Sequence, residues 1–371
     1  NVPKGFCCAA RNAAKVGPSL FCHRAHSPMA RRKSPWLMSP GLQRALQRNT
    51  RTLVRATVAN IAKTRKAAQS AQKTASRRKP SPGSPGPGDW LTGMALGPAG
   101  ARGYHLFRPA GLPTQEPAPL LVMLHGCEQN GHDLAASSRM NTLAARAGCW
   151  VLYPEQDRIA NLHGCWNWFA RRTGKAEAEA ATLRAMVDQV LQLYPVDASR
   201  VALAGLSAGA GMAALLATEY PTRWSAVAMH SGVAPGAARS TATALAAMVG
   251  KRHADLGAPG PQGLPPLLVL QGTVDRVVAP GNGADAAQAW ATALGAKARP
   301  PRVLQRGARY PMRVTDFALR GRVWVQLCEI EGLGHAWSGG APRLAYSDPK
   351  GPDASRLILA FVQKQWARDD A

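Results

Sequence analysis

Val201-Ala202-Leu203-Ala204-Gly205-Leu206-Ser207-Ala208-Gly209-Ala210-Gly211-Met212 is the most informative segment of the chain. A β-prone apolar run meets Gly-X-Ser-X-Gly, and a run of small, helix-favouring residues follows. Read in order, this is strand, sharp turn, helix. The turn crowds the backbone around its central serine, so only glycine leaves room two positions away on either side. The Ser207 hydroxyl then stands exposed above a helix N-terminus, where a nucleophile belongs. The plainer alternative makes Ser207 a helix N-cap. The pentapeptide alone is common, and the strand before it and the helix after it give it weight.

The flanking sequence repeats the alternation. Short or continuous apolar strands are predicted at 103–108, 119–125, 150–153, 225–230 and 267–271, and helices at 140–147, 176–193, 209–219, 284–294 and 353–366. Two segments of alternating polarity, 314–319 and 322–330, flank Arg320-Gly321-Arg322 and read as a hairpin-like pair. Strand–helix alternation of this length predicts an α/β protein with a doubly wound, mostly parallel sheet.

A serine nucleophile needs a base, and the base needs an orienting acid. After Ser207 the chain offers His230, His253 and His335. His230 ends a predicted core strand and His253 lies in a basic loop. His335 sits in Glu331-Gly-Leu-Gly-His335-Ala-Trp-Ser-Gly-Gly340, a glycine-flanked loop just past a strand, and is the expected base. Among the acids, Asp275 follows the strand 267–271 through Gly272-Thr273-Val274, at the sheet's C-terminal edge. Asp255, Asp285 and Asp316 fit no strand-end loop as well. An oxyanion hole needs two backbone N–H groups. The amide of Ala208 is one, and that of Cys127, in Leu124-His125-Gly126-Cys127-Glu128-Gln129, is the other. The Cys127 side chain reads as a buried thiol or half of a disulfide. The aromatics Trp166, Trp168 and Phe169, with Trp337 beyond His335, are read either as walls of an apolar substrate pocket or as anchors of a long loop.

Six blocks in order, Leu124-His-Gly-Cys-Glu-Gln, Tyr153-Pro-Glu-Gln, Cys165-Trp-Asn-Trp-Phe, Gly205-Leu-Ser-Ala-Gly-Ala-Gly-Met, Gln271-Gly-Thr-Val-Asp and Gly334-His-Ala-Trp-Ser-Gly-Gly, resemble the polyhydroxybutyrate (PHB) depolymerase family of esterases over about 100–366. The resemblance implies an α/β-hydrolase fold and a triad falling on Ser207, Asp275 and His335. It also implies an oxyanion loop at Cys127 and hydrolysis of hydroxyalkanoate esters, polymeric or oligomeric. Feruloyl and acetylxylan esterases are relatives. A serine peptidase of the same fold, or a non-catalytic surface-binding homologue, are the other classes weighed. Cys165 is the candidate disulfide partner of Cys127.

Composition separates two regions. Residues 1–90 hold eighteen of the 46 Lys and Arg and one of the 21 acids, a net +17, leaving 28 basic and 20 acidic residues, a net +8, for 91–371. Boundaries follow at 1–79, a basic helical or disordered arm, 80–89, a Pro/Gly linker, and 90–371, the catalytic domain. The arm over 29–79 is either a contact for an anionic surface or a solvated leader. It has no interleaved aromatics for base stacking, so no specific nucleic acid is expected. Seven cysteines without metal-site spacing argue against zinc, and no cofactor is expected. No apolar run reaches the length of a membrane-spanning helix. The family's usual secretion and the lack of a clear signal-peptide core in 1–28 or 29–60 point in opposite directions, extracellular and cytoplasmic. Met29 is an internal start candidate.

Overall fold

The computed structural model describes residues 85–113, 115–257 and 263–369. The expected arm at 1–79 and the linker as far as residue 84 lie outside them. Strands β1 (Gly88–Gly97) and β2 (Gly100–Pro109) form a hairpin, with Trp90 in the first of them. There follow β3 (Ala118–Leu124), α1 (Gly131–Ser138), α2 (Met140–Ala147), β4 (Trp150–Pro154), α3 (Lys175–Leu193), β5 (Val196–Leu206), α4 (Ala208–Glu219) and β6 (Ala226–His230). The chain continues through α5 (Thr241–Met248), β7 (Leu267–Gly272), α6 (Gly281–Leu294), β8 (Lys297–Ala298), β9 (Arg302–Leu304), β10 (Met312–Leu319) and β11 (Arg322–Ile330). It closes with β12 (Trp337–Ser338), β13 (Ser347–Asp348) and α7 (Ala354–Asp369).

Strands β1 to β11 form one sheet in the order β1-β2-β4-β3-β5-β6-β7-β11-β10-β8, with β9 also paired to β10. The middle, from β4 to β11, is parallel, and the antiparallel pairs lie at the two edges. Alternate residues of the central strands feed opposite faces, as a pleated strand buried on both sides must. Leu120, Val122 and Leu124 of β3 enter the core layer that holds α3, α4 and α6. Leu121 and Met123 enter the layer that holds α1, α2 and α7. This is the doubly wound arrangement predicted. The hairpin-like pair is antiparallel β10–β11, with a register shift between Phe317 and Ala318.

The sequence gives little sign of three elements. β1 is interrupted by Gly93, but a Cβ there would lie 2.2 Å from the Tyr104 ring, so the glycine makes room for a partner-strand aromatic. Helix α1 opens on glycine, and its start is fixed by Asn130, whose side chain accepts the Asp133 N–H at 2.8 Å. Helix α5 is a short Ala/Thr run whose capping box, Ser240 with Thr243, substitutes for a strong apolar stripe.

The turn after β5 takes the form its glycines require. Ser207 has φ 56° and ψ −117°, a strained conformation for a non-glycine residue. A Cβ on Gly205 would lie 2.3 Å from the Gly209 carbonyl carbon, and one on Gly209 would lie 2.1 Å from the Leu124 oxygen. The two glycines therefore let β5, the start of α4 and the end of β3 pack backbone against backbone. Helix α4 is buried on every side, which explains its run of Ala and Gly.

Candidate active site

Four loops leave the C-terminal ends of neighbouring parallel strands and meet over one cavity. They carry Gly126–Gln129 after β3, Ser207 and Ala208 after β5, Asp275 after β7, and His335 after β11. In an open parallel sheet this edge is where ligands bind. Ser207, Ala208, Cys127 and His335 all line a cavity of about 310 Å3.

Asp275 is buried and well supplied with donors. One carboxylate oxygen, Oδ1, accepts the Val277 and Val278 N–H groups, each at 2.9 Å. The other, Oδ2, lies 2.8 Å from His335 Nδ1. Burial alone would push this carboxyl up, but the hydrogen bond and charge of His335, with the two amides, outweigh it and hold it below the usual carboxylate range. An ionised Asp275 makes His335 Nδ1 the donor, so Nε2 is left with a lone pair. The Ser207 hydroxyl makes no side-chain hydrogen bond among the described residues.

The backbone N–H groups of Cys127 and Ala208, both residues that line the cavity, have no acceptor among the described residues. The first is aimed by a side chain that sequence reasoning passed over. The Gln156 N–H donates to His125 Nε2 at 3.2 Å, so His125 Nδ1–H donates to the Gly126 oxygen, 2.8 Å away. In a trans peptide the C=O and the following N–H point in opposite directions. Pinning the Gly126 oxygen therefore turns the Cys127 N–H the other way. His125 is fully buried, which lowers its pKa and keeps it neutral in this role.

The loop after β4 is fastened to the loop after β3. A disulfide joins Cys127 to Cys165, and the Trp166 indole N–H donates to the His125 oxygen at 3.1 Å. Beneath them Glu179 accepts from the Asn167 backbone, 2.8 Å, and from Gln156 Nε2, 3.0 Å, with Arg102 4.0 Å away. A buried carboxylate is tolerated only with such partners. The other two described cysteines, Cys149 and Cys328, are buried thiols pushed up to about 12 by desolvation, hence poor nucleophiles.

The aromatic readings divide. Trp168 and Phe169 line the cavity. Trp166 and Trp337 do not, and their placement as substrate-binding walls is corrected. Both are completely buried in the core, and the Trp337 indole N–H donates to Ser355 Oγ at 3.0 Å. Each satisfies its one donor inside the protein, so each faces away from the cavity. Leu245 and Met248 of α5, Val277 and Val278 add to the apolar wall, together with Leu206 and Val233. Among the described residues no group of three or more His, Cys, Asp or Glu is placed to hold a metal ion, and no helix is long and apolar enough to cross a membrane.

His230, at the end of β6, lies between the strands that deliver Ser207 and Asp275. Its ring stacks on Trp337 at 5.2 Å, and its Nε2 accepts the Ser338 N–H at 3.1 Å. It therefore anchors the loop that carries His335. Complete burial, then the neighbouring His335, lower its pKa to about 3. The unfolded chain binds this proton first, so the contribution of His230 to stability is intact above about pH 6.5 and is lost as pH falls towards 3, by about 1.4 kcal/mol per unit. Urea unfolding at a series of pH values should show His230→Gln losing less stability than the wild type below pH 6.5. Parallel curves would refute the assignment.

Comparison with known proteins places these features. Residues 102–293 match the family described as Esterase PHB depolymerase. The chain is 32% identical over 238 residues to poly(3-hydroxyalkanoate) depolymerase C of Paucimonas lemoignei, covering 61% of this chain and 56% of that protein. It is 33% identical over 157 residues to feruloyl esterase B of Neurospora crassa, covering 41% and 52%. These matches span about half the length of either relative. The solved structure of acetyl xylan esterase from Aspergillus awamori superposes with a TM-score of 0.55 at 20% identity, over 68% of this chain and 95% of that one. The fold is that of the α/β hydrolases.

Proposed function

We propose, for a chain that belongs to the PHB depolymerase family of esterases, that it hydrolyses carboxylic esters of hydroxyalkanoate type through Ser207, His335 and Asp275. The observation that carries this reading is the 2.8 Å bond between His335 and a buried, ionised Asp275, at the cavity that the strained Ser207 also lines. With Nδ1–H held by the carboxylate, His335 Nε2 takes the proton of Ser207 as its Oγ attacks the ester carbonyl carbon. The carbonyl electron pair moves to oxygen, and the N–H groups of Cys127 and Ala208 stabilise that oxyanion, each donor contributing about 3 kcal/mol. The tetrahedral intermediate collapses, the C–O bond to the alcohol breaks, and His335 returns the proton to the leaving oxygen. Water then attacks the acyl-enzyme by the same route, releasing the acid and restoring Ser207.

The apolar wall of Trp168, Phe169, Leu245, Met248 and Val277 suits a short aliphatic acyl chain. A panel of uncharged 3-hydroxybutyrate oligomer esters, p-nitrophenyl butyrate, methyl ferulate and acetylated xylan tests this. The hydroxybutyrate esters should give the highest kcat/KM. Highest activity on ferulate or acetylxylan would move the chain to the specificity of its other relatives, and activity on none would overturn the reading.

A further inference from the structure

The cavity's charge is at odds with the composition of the region that holds it. Residues 91–371 carry 28 Lys and Arg against 20 Asp and Glu, yet no Lys or Arg lines the cavity among the described residues. Its one lining carboxylate is Glu128, the residue directly after Cys127. Arg276, beside the lining residue Val277, is exposed and does not line it.

Glu128 is held at the mouth with some cost. Its φ is 62°, a left-handed conformation that a glutamate rarely adopts. Its N–H donates to the His163 oxygen at 2.8 Å, and its Oε1 lies 2.7 Å from His163 Nδ1. With the Cys127–Cys165 disulfide alongside, these two hydrogen bonds to the opposite loop fix where the carboxylate sits. Glu128 is 29% exposed, so its charge is only partly screened by water. Tyr346, which lines the same cavity from the loop before β13, has its pKa raised by burial and after it by the charge of Glu128.

We infer that Glu128 is a specificity-determining residue, which makes this site selective for uncharged esters and repels carboxylates near the scissile bond. A free acid end finds no Lys or Arg in the cavity and meets the carboxylate of Glu128, whose pairing partner there is the His163 imidazole. The same repulsion acts on the carboxylate product once the acyl-enzyme is hydrolysed. The site would therefore take internal or end-capped ester bonds in preference to the last bond of a free-acid oligomer. This inference rests on the ester-hydrolase reading above.

The test compares p-nitrophenyl hydrogen glutarate with its methyl ester, which differ in charge and by one methyl group, both followed by p-nitrophenolate release after subtraction of the enzyme-free rate. The wild type should favour the uncharged methyl ester in kcat/KM by roughly tenfold or more, as a like charge a few ångströms away at intermediate dielectric requires. Glu128→Gln should bring the ratio to within about threefold, and Glu128→Lys should bring it below one. Because each ratio is taken within one protein, a partly unfolded variant does not distort it. Equal rates in the wild type, or a ratio that neither substitution changes, would overturn the inference while leaving the ester-hydrolase reading intact. No turnover of the uncharged ester by the wild type would overturn both.

Discussion

Ser207→Ala is expected to lower kcat by roughly 100,000-fold or more while the fold is retained. The serine makes no side-chain hydrogen bond among the described residues, so removing its hydroxyl leaves no buried partner unsatisfied. It sits at φ 56°, and alanine at that position carries the same Cβ and the same strain. Gly205 and Gly209 still pack as before. The variant should unfold at the same urea concentration as the wild type, within error, and keep the mass of an intact Cys127–Cys165 disulfide. Initial rates on p-nitrophenyl butyrate over a wide range of enzyme concentration provide the check, and wild-type turnover would remove Ser207 from the mechanism.

Asp275→Asn is the second large effect, and its cause is tautomeric. Oδ1 of Asp275 accepts two backbone N–H groups, from Val277 and Val278, and Oδ2 faces His335 Nδ1. An asparagine keeps its amide oxygen on the two backbone donors, because the alternative sets NH2 against N–H. Its NH2 then faces His335 Nδ1, which must become the acceptor. The proton moves to Nε2, where it blocks uptake of the serine proton. A loss of about 10,000-fold in kcat is expected near neutral pH. The KM should change far less, since Trp168, Phe169 and Leu245, which line the cavity, are untouched. A loss confined to KM would mean that Asp275 supports the loop and not the imidazole.

The legibility of this protein in its sequence follows from where each constraint lies. The strand–turn–helix at Ser207 is readable because backbone contacts of about 2 Å to an added Cβ exclude all but glycine at 205 and 209. Asp275 and His335 are readable because chain order and strand ends place them at one sheet edge without knowledge of side-chain contacts. The direction in which an aromatic faces is not carried by its position in a loop. Trp166 and Trp168 are two residues apart, yet one is sealed against the His125 oxygen and the other walls the cavity. The roles of His125 and His230 are hidden for a related reason. Each acts through the backbone of another residue, Gly126 or Ser338, and that partner appears only once β3, β6 and the loop after β11 are assembled. Glu128 reads as part of a motif, and its left-handed backbone and its pairing with His163 arise from the loop closure.

Covalent capture decides whether Ser207 is the nucleophile. The wild-type protein is treated with a fluorophosphonate, digested, and the modified peptide located by mass spectrometry. One adduct is expected, on Ser207, absent from Ser207→Ala. An adduct on any other residue, or ester hydrolysis by a protein that takes up no label, would contradict that assignment.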